Sequence, residues 1–434
     1  AGGRRELVEE TREIIRRIRW EYSLTSQEML EKLRRWIPDV SAAELEGWRQ
    51  AGELQYRTLD GEIRFFRREP SNLWRFCPEA RRRRDHAAGG TATSAPADGD
   101  AALDAHVAEV LAAARASGKA EVLPVRHVVK YALTVRPDRP GAGPESVVRC
   151  WLPFPQVYGR QREVRLLSAD PSPELIAPSG TEPGGAVHRT VFFERRVGDP
   201  AAPLRFAVEF EFLTWAYCPE LDEERARVSS DGAVRCYLAE RRPHLAFTPE
   251  VMAAVAEAVG GETNPLRKVR RIFEYIDSRI RYCAEEEYSI IPGLAAHAIS
   301  RRRGDCGVQA ALFISMCRAA GIPARWQSGF FTQPGHWNMH DWAEFHLEPW
   351  GWLPADPSFG RRKSGDPAVR DFYLGHMDAY RMIVNLDYGA PLHPPKTSLR
   401  SEPADFQRGE VEIDGRNLYF DEWDWELELN HQPG

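Results

Sequence analysis

Residues 304–326 read GDCGVQAALFISMCRAAGIPARW, and they place Cys306 directly after Gly-Asp at the start of an apolar segment. Asp305 can cap a helix that begins at Cys306, and Gly321 followed by Pro323 can end it. Within this helix only one residue is charged, and apolar side chains fall on all sides. Such a pattern is typical of a helix that is buried all round.

Cys306 has two interpretations. Free cysteine is among the most buried residue types, so simple packing is the first. As the first residue of a buried helix, however, the thiol would lie at the positive end of the helix dipole, where its pKa falls and the thiolate is favoured. This second interpretation predicts a nucleophile. Cys317 lies further along the same helix and is predicted to be a core cysteine.

A nucleophilic thiol needs a proton acceptor, and the acceptor needs an orienting group. Residues 340–360, HDWAEFHLEPWGWLPADPSFG, predict a hairpin whose first strand begins at His340 and whose second strand ends at Asp356. A four-residue loop at 348–351 would turn Asp356 to the face opposite His340. We therefore expect a three-residue loop or a bulge, either of which brings the two side chains together. The competing histidines of this region are predicted to be surface or core residues: His336 and His346.

Length and composition limit the classes of protein that this chain can represent. Its 434 residues predict two or three domains, and its 43% hydrophobic content suffices for packed cores. No apolar run is long enough to span a membrane, and the net charge of -6 argues against a general nucleic-acid binder. The start at Ala1 without methionine suits a trimmed chain or an exported (periplasmic or secreted) bacterial protein, so the compartment stays open.

The seven cysteines are scattered without any CxxC pair. Their spacing gives no zinc signature and no disulfide framework, so we expect no metal and no cofactor. The odd number leaves at least one thiol unpaired if the others form disulfides.

Residues 1–86 are Arg-rich and predict three short helices followed by a hairpin that turns at Asp60-Gly61. Capping boxes begin two of the helices, with Thr25 and Ser41 as N-caps. This order resembles a winged helix, and the module could bind DNA. A structural or protein-contact module is the favoured interpretation, because the predicted third helix carries two acids against one arginine.

The remaining chain divides by composition. Residues 87–100 are Gly- and Ala-rich and predict a mobile linker. Residues 101–240 predict a helix and then several short strands, which suggests a β-sandwich-like domain. Residues 241–434 hold the Cys306 helix and a C-terminal β extension. There, FDEWDWELEL at 420–429 alternates and predicts a strand that completes the core, although an aromatic strip facing substrate stays open.

Three separated blocks, RRRGDCGVQAALFISMCRAAGIPARW, HDWAEFHL and GWLPADPS, resemble the transglutaminase-like superfamily in sequence and in order. The resemblance covers about residues 265–360. It implies an α+β fold with a papain-like core, in which the buried cysteine helix packs against an antiparallel sheet, and a β-domain precedes this core in bacterial members. The triad would be Cys306 as nucleophile, His340 as general base and acid, and Asp356 as the orienting group.

The resemblance implies acyl transfer through a thioester on Cys306. A cysteine peptidase or amidase acting on a peptide or another amide is the leading hypothesis. A protein-crosslinking transglutaminase is the alternative, and an interaction protein built around residues 1–86 is the alternative of another class. The paired zinc cysteines of glycan-releasing members and the calcium loops of animal crosslinkers are not evident. The Cys306 N–H and the Tyr282 side chain are candidate oxyanion donors, whereas Trp337 and Trp342 could line the cleft or pack in the core.

Overall fold

The computed structural model describes residues 2–87, 97–137 and 142–434. Most of the predicted linker, residues 88–96, lies outside the described residues, and residues 97–100 begin a helix. The α-helices are α1 Gly2–Glu21, α2 Ser26–Arg34, α3 Ala42–Gln50, α4 Leu73–Phe76, α5 Pro78–Ala87, α6 Ala97–Ser117, α7 Gly232–Arg235, α8 Pro249–Val259, α9 Pro265–Arg279, α10 Leu294–Arg301, α11 Cys306–Ala319 and α12 Pro367–Arg370.

The strands are β1 Tyr56–Leu59, β2 Glu62–Phe65, β3 Glu121–Val135, β4 Val147–Pro153, β5 Gln161–Asp170, β6 Leu175–Ile176, β7 Thr190–Arg196, β8 Leu204–Tyr217, β9 Arg281–Tyr282, β10 Arg303–Gly304, β11 Ala324–Gln333, β12 His336–Leu347, β13 Gly351–Ala355, β14 Arg381–Asn385, β15 Glu410–Ile413, β16 Arg416–Leu418 and β17 Trp423–Pro433. Short 3-10 helices span Cys236–Leu238 and Tyr288–Ile290. Among the described helices, none is both long and apolar enough to cross a bilayer.

The chain forms two compact units, and the first contains Ala1–Leu103 together with Tyr282–Ile291 and Arg303–Asp305. Both capping boxes predicted from the sequence are present at the starts of α2 and α3. Strands β1 and β2 pair antiparallel through a turn in which Asp60 and Gly61 both have left-handed backbone angles. The helix-helix-helix-hairpin order is therefore observed, and assignment to the winged-helix class stays a prediction.

The second unit contains Asp104–Arg281, Pro292–Arg302 and Cys306–Gly434, and two of its sheets share one hydrophobic core. One sheet has the order β16-β15-β4-β7-β6 and the other β17-β3-β8-β5, with antiparallel pairing throughout. Strands β15 and β17 come from the C-terminal part of the chain, so the C-terminal segment completes sheets begun almost 300 residues earlier.

A third sheet of the second unit, with the order β13-β12-β11-β14, carries the functional region. Helix α11 packs on β12, where the ring of Phe313 meets the ring of Phe345 edge-on at 6.3 Å between centroids. Every residue of α11 from Cys306 to Arg318 is buried, as the apolar pattern predicts. Gly321 has φ 83° beyond the helix end, and the Ile322 N–H donates to the Cys317 carbonyl at 2.9 Å.

The hairpin of β12 and β13 has the three-residue loop that was one of the two expected solutions. Leu347 pairs with Gly351, which leaves residues 348–350 in the loop, and Ala343 pairs with Ala355. Asp356 therefore follows the strand on the face that carries His340, because side chains alternate along both strands.

Candidate active site

Cys306 is the first residue of α11, and its side chain contacts β12 of the third sheet. The residue is 8% exposed. Its thiol donates a hydrogen bond to Oδ2 of Asp341 across 3.4 Å, within the range of hydrogen bonds to sulfur donors. The helix places the sulfur beside β12, the strand that carries His340.

His340 and Asp356 form a close buried pair. His340 Nε2 lies 2.6 Å from Asp356 Oδ2, with His340 4% exposed and Asp356 fully buried. The ring of His340 is flanked by three aromatic rings, whose centroids lie 4.9 to 5.9 Å away: Phe331, Trp342 and Phe359. Because Nε2 binds the carboxylate, Nδ1 is the nitrogen that can exchange a proton with a reacting group.

Asp356 is held from several sides. The Ser358 hydroxyl and the Phe359 N–H donate to its Oδ1 at 3.0 and 3.1 Å. On β14, Arg381 is 1% exposed and its Nη1 lies 3.0 Å from Asp356 Oδ2. Arg381 also lies 3.4 Å from the buried Asp378 carboxylate. These contacts fix the carboxylate so that its second oxygen faces the imidazole.

The charges of this cluster follow from burial and from Arg381. Burial lowers the pKa of His340, and Arg381 lowers it further, while Asp356 raises it; the net shift is downward. Burial raises the pKa of Asp356, but the positive charges of His340 and Arg381 outweigh it and hold the pKa at about 2. Since the lowered pKa keeps His340 neutral near pH 7, Arg381 is the permanent charge that keeps Asp356 ionised.

Asp341 and Gln407 belong to the site, and neither was identified from the sequence. Gln407 Nε2 donates to the His340 carbonyl at 2.9 Å and to Asp341 Oδ1 at 2.8 Å. The strand alternation contained a signal for Asp341, because it places this residue on the face that packs against α11. No local signal points to Gln407, which lies 66 residues from Asp341 in sequence.

The other predicted site residues occupy different surroundings. Trp342 is fully buried, stacks on His340 and donates from Nε1 to Gln327 at 2.6 Å, so it both packs in the core and borders the imidazole. Trp337 packs against Trp425 with ring centroids 6.0 Å apart, which agrees with the packing alternative. Tyr282 is 45% exposed and its ring lies 5.7 Å from the Arg75 guanidinium. Its role as an oxyanion donor stays a prediction.

The remaining histidines and the second helix cysteine match their structural interpretations. His336 is exposed at the first residue of β12 rather than in a loop. His346 is buried and meets the Trp352 ring edge-on at 5.2 Å. Cys317 is fully buried, and burial raises its thiol pKa well above the ordinary value.

The arrangement places a thiol, an imidazole and an orienting carboxylate on one helix end and one hairpin. These are the groups that nucleophilic acyl chemistry requires: a nucleophile, a proton carrier, and a group that sets the tautomer of the carrier. Within the described residues, no group of three or more His, Cys, Asp or Glu side chains is placed to hold a metal ion.

Comparison with known proteins supports this assignment of the core. The family model described as the transglutaminase-like superfamily matches residues 253–357, which include all three predicted triad positions. Among curated proteins, no match to the chain was found.

Two solved structures are among those to which the chain is similar. A candidate cysteine protease from Cytophaga hutchinsonii has 15% identity and a TM-score of 0.45, covering 72% of this chain and 91% of its own. The periplasmic domain of TgpA from Pseudomonas aeruginosa has 18% identity and a TM-score of 0.28, covering 58% of this chain and 91% of its own. Neither likeness is close enough to bear on the reaction. The comparisons thus show a match to the transglutaminase-like superfamily over residues 253–357 of this chain.

Proposed function

We propose that this protein is a thiol-dependent acyl-transfer enzyme that hydrolyses a peptide or another carboxamide. The observation that carries the proposal is the buried 2.6 Å contact between His340 Nε2 and Asp356 Oδ2. His340 lies on β12, and the next residue of this strand, Asp341, contacts the Cys306 thiol. A neutral imidazole oriented by an ionised carboxylate beside a helix-terminal cysteine is suited to general acid–base work on an acyl group.

The proposed reaction uses these groups in the following order. Cys306 Sγ attacks the carbonyl carbon while its proton passes to Nδ1 of His340. The backbone N–H of Cys306 is a candidate donor to the oxyanion, and such a donor contributes about 3–4 kcal/mol in other enzymes. His340 then protonates the leaving amine, which departs and leaves a thioester. Water attacks the thioester as His340 removes its proton, and the thiol is restored when the acid departs.

The test is turnover of casein peptides, read as newly formed amino termini and as ammonia released from side-chain amides. We expect Cys306→Ala and His340→Ala to abolish turnover. The matched controls are Cys236→Ala and His336→Ala, because both residues are exposed. If Cys306→Ala retains turnover, the proposal is wrong.

The same assay separates hydrolysis from crosslinking. Dansylcadaverine, a labelled primary amine, is added to the casein mixture. If hydrolysis dominates, new termini or free ammonia accumulate with little label in the protein. Label incorporated in preference to hydrolysis would instead indicate a transglutaminase.

A further inference from the structure

The side chains around Cys306 include a second carboxylate, which the proposed reaction does not use. We propose that Asp341 holds the Cys306 thiol in its protonated form in the resting enzyme, and that Gln407 fixes the Asp341 carboxylate for this role. The inference rests on the proposed function, because it concerns the same nucleophile.

The contact between the thiol and Asp341 favours the protonated sulfur. Cys306 Sγ lies 3.4 Å from Asp341 Oδ2, and the two residues are 8% and 2% exposed. A carboxylate can accept a hydrogen bond from a thiol but repels a thiolate at the same distance. Burial strengthens this repulsion because little water screens it. Asp341 therefore opposes the helix dipole, which by itself would favour the thiolate.

The geometry of β12 gives each reacting group its own carboxylate. His340 and Asp341 are consecutive residues of β12, and their side chains form hydrogen bonds with different groups. The face of Asp341 is the one that packs against α11, as the contact between Phe345 and Phe313 shows. Helix α11 thus delivers the thiol to Asp341, while His340, the preceding residue on β12, pairs with Asp356.

Gln407 fixes the position of the Asp341 carboxylate. Its amide Nε2 bridges the His340 carbonyl and Asp341 Oδ1, and the residue is 3% exposed. Its backbone N–H donates to the buried Glu402 carboxylate at 2.8 Å, which anchors the segment between β14 and β15. With Oδ1 held by Gln407, Oδ2 is directed at the sulfur. Gln407 is therefore a positioning residue, whereas Asp341 touches the reacting atom.

The charge balance at the thiol includes groups from several elements. The titratable and charged groups of this region within the second unit lie on β12, directly after β13, and on β14 with the residues before it: His340, Asp341, Asp356, Asp378 and Arg381. Asp341 accepts the hydrogen bond of the thiol. The thiol proton would leave only as the S–C bond forms, when Nδ1 of His340 receives it.

The test is the rate of Cys306 alkylation by iodoacetamide as a function of pH, measured by mass spectrometry of the Cys306 peptide. In Asp341→Asn, the amide removes the repulsion and can donate to the sulfur. We expect the profile to move to lower pH, and a shift of one pKa unit makes alkylation about tenfold faster below the thiol pKa. The exposed Cys236 is the internal reference and should not change. An unchanged profile, or one moved to higher pH, would overturn the proposal.

Gln407→Met tests the positioning role. We expect Gln407→Met to shift the pH profile of Cys306 alkylation in the wild-type background. In Asp341→Asn it should cause no further shift, because both changes act through the same carboxylate. Equal effects in both backgrounds would mean that Gln407 acts elsewhere.

A measurement on the native chain covers the case in which these variants fail to fold. The ultraviolet absorbance of the thiolate is titrated in the wild type and in Cys306→Ala, and the difference reports Cys306. We expect no thiolate signal at neutral pH, and a full signal there would contradict the proposal. This titration does not depend on turnover, so loss of the proposed function in the casein assay is a separate result.

Discussion

At the scale of single residues, His340 and Asp356 form a pair whose charges depend on Arg381. The arginine lies 3.0 Å from Asp356 Oδ2 and is itself buried. It helps to keep the carboxylate ionised, and burial, with a smaller contribution from the arginine, lowers the pKa of His340 and keeps the imidazole neutral, as a general base requires.

Asp356→Asn tests this pair through pH dependence. Asp356 raises the pKa of His340 against burial, so its removal should lower that pKa further and move the acidic limb of the rate profile to lower pH. The turnover rate should fall about 10³–10⁴-fold, because the imidazole is no longer held in the required tautomer. The measurement is kcat against pH, with His336→Ala as the control. An acidic limb moved to higher pH would contradict the assigned interaction.

Asp356→Asn should also change how the free energy of unfolding depends on pH. Asp356 has a pKa of about 2 in the folded protein, below the value of about 3.9 in an unfolded chain. Its ionised form therefore stabilises the fold above about pH 4, and this contribution disappears as the pH falls towards 2. Denaturant unfolding should show Asp356→Asn to be less stable than wild type near pH 6, with the difference shrinking in acid.

At the scale of elements, the approach of β14 to β11 places Arg381 behind the triad. Gly329 on β11 pairs with His340 on one side and lies beside a bulge in the pairing with β14 on the other. A Cβ atom at Gly329 would lie 1.9 Å from the Met382 carbonyl oxygen, so no other residue fits there without moving a strand.

Gly329→Ala should therefore separate β11 from β14. We expect a loss of about 1–3 kcal/mol in the free energy of unfolding, which is the usual cost of overpacking. Turnover should also fall, because Arg381 would shift away from Asp356. Gly365→Ala is the control, since open space surrounds that position. Unchanged unfolding of Gly329→Ala in a denaturant titration would show that the strands adapt freely.

At the scale of the whole molecule, the second unit is completed by the end of the chain. Strand β17 pairs with β3 from Trp423 opposite Val135 to Pro433 opposite Val125, and β15 pairs with β4. Without these strands, two sheets would expose unpaired edges, and core residues such as Trp423 and Val411 would be missing.

Truncation after residue 409 removes β15, β16 and β17 and should abolish cooperative unfolding of the second unit. The expected product aggregates or loses its near-ultraviolet circular dichroism. Removal of residues 432–434 alone is the control and should leave the thermal transition close to that of the full chain. A sharp transition in the longer truncation would show that β3 and β4 are stable without their C-terminal partners.

Several basic side chains of the first unit form ion pairs with acidic residues of the same unit. Arg57 donates to both oxygens of Glu286 at 2.8 Å, Arg67 pairs with Glu21 at 2.8 Å, and Arg83 pairs with Asp39 at 2.9 Å. Arginines neutralised in this way contribute less to an electrostatic surface for DNA. The interaction hypothesis for residues 1–86 stays a prediction, and these pairs favour its protein-contact version.

Prediction from the sequence was most successful for elements whose structure follows from a local pattern of residues. The alternation and turn residues of 340–360 predicted the hairpin and allowed the three-residue loop that aligns His340 with Asp356. The apolar helix from Cys306 was predicted from its caps and periodicity. The superfamily was identified from three short blocks and is confirmed by the family model. The proposed domain boundaries and the triad roles stay predictions.

The amino-acid sequence by itself determined the helix that begins at Cys306, the hairpin of β12 and β13, and the faces on which their side chains lie. These properties follow from periods of 3.6 and 2 residues and from turn residues, which act within about 20 positions. Tertiary structure alone decided that Arg381 supports Asp356, that Gln407 fixes Asp341 beside the thiol, and that β17 closes the sheet of β3. Such partners are separated by 25 to about 300 residues, and the packing that brings them together produces no periodic pattern in the sequence.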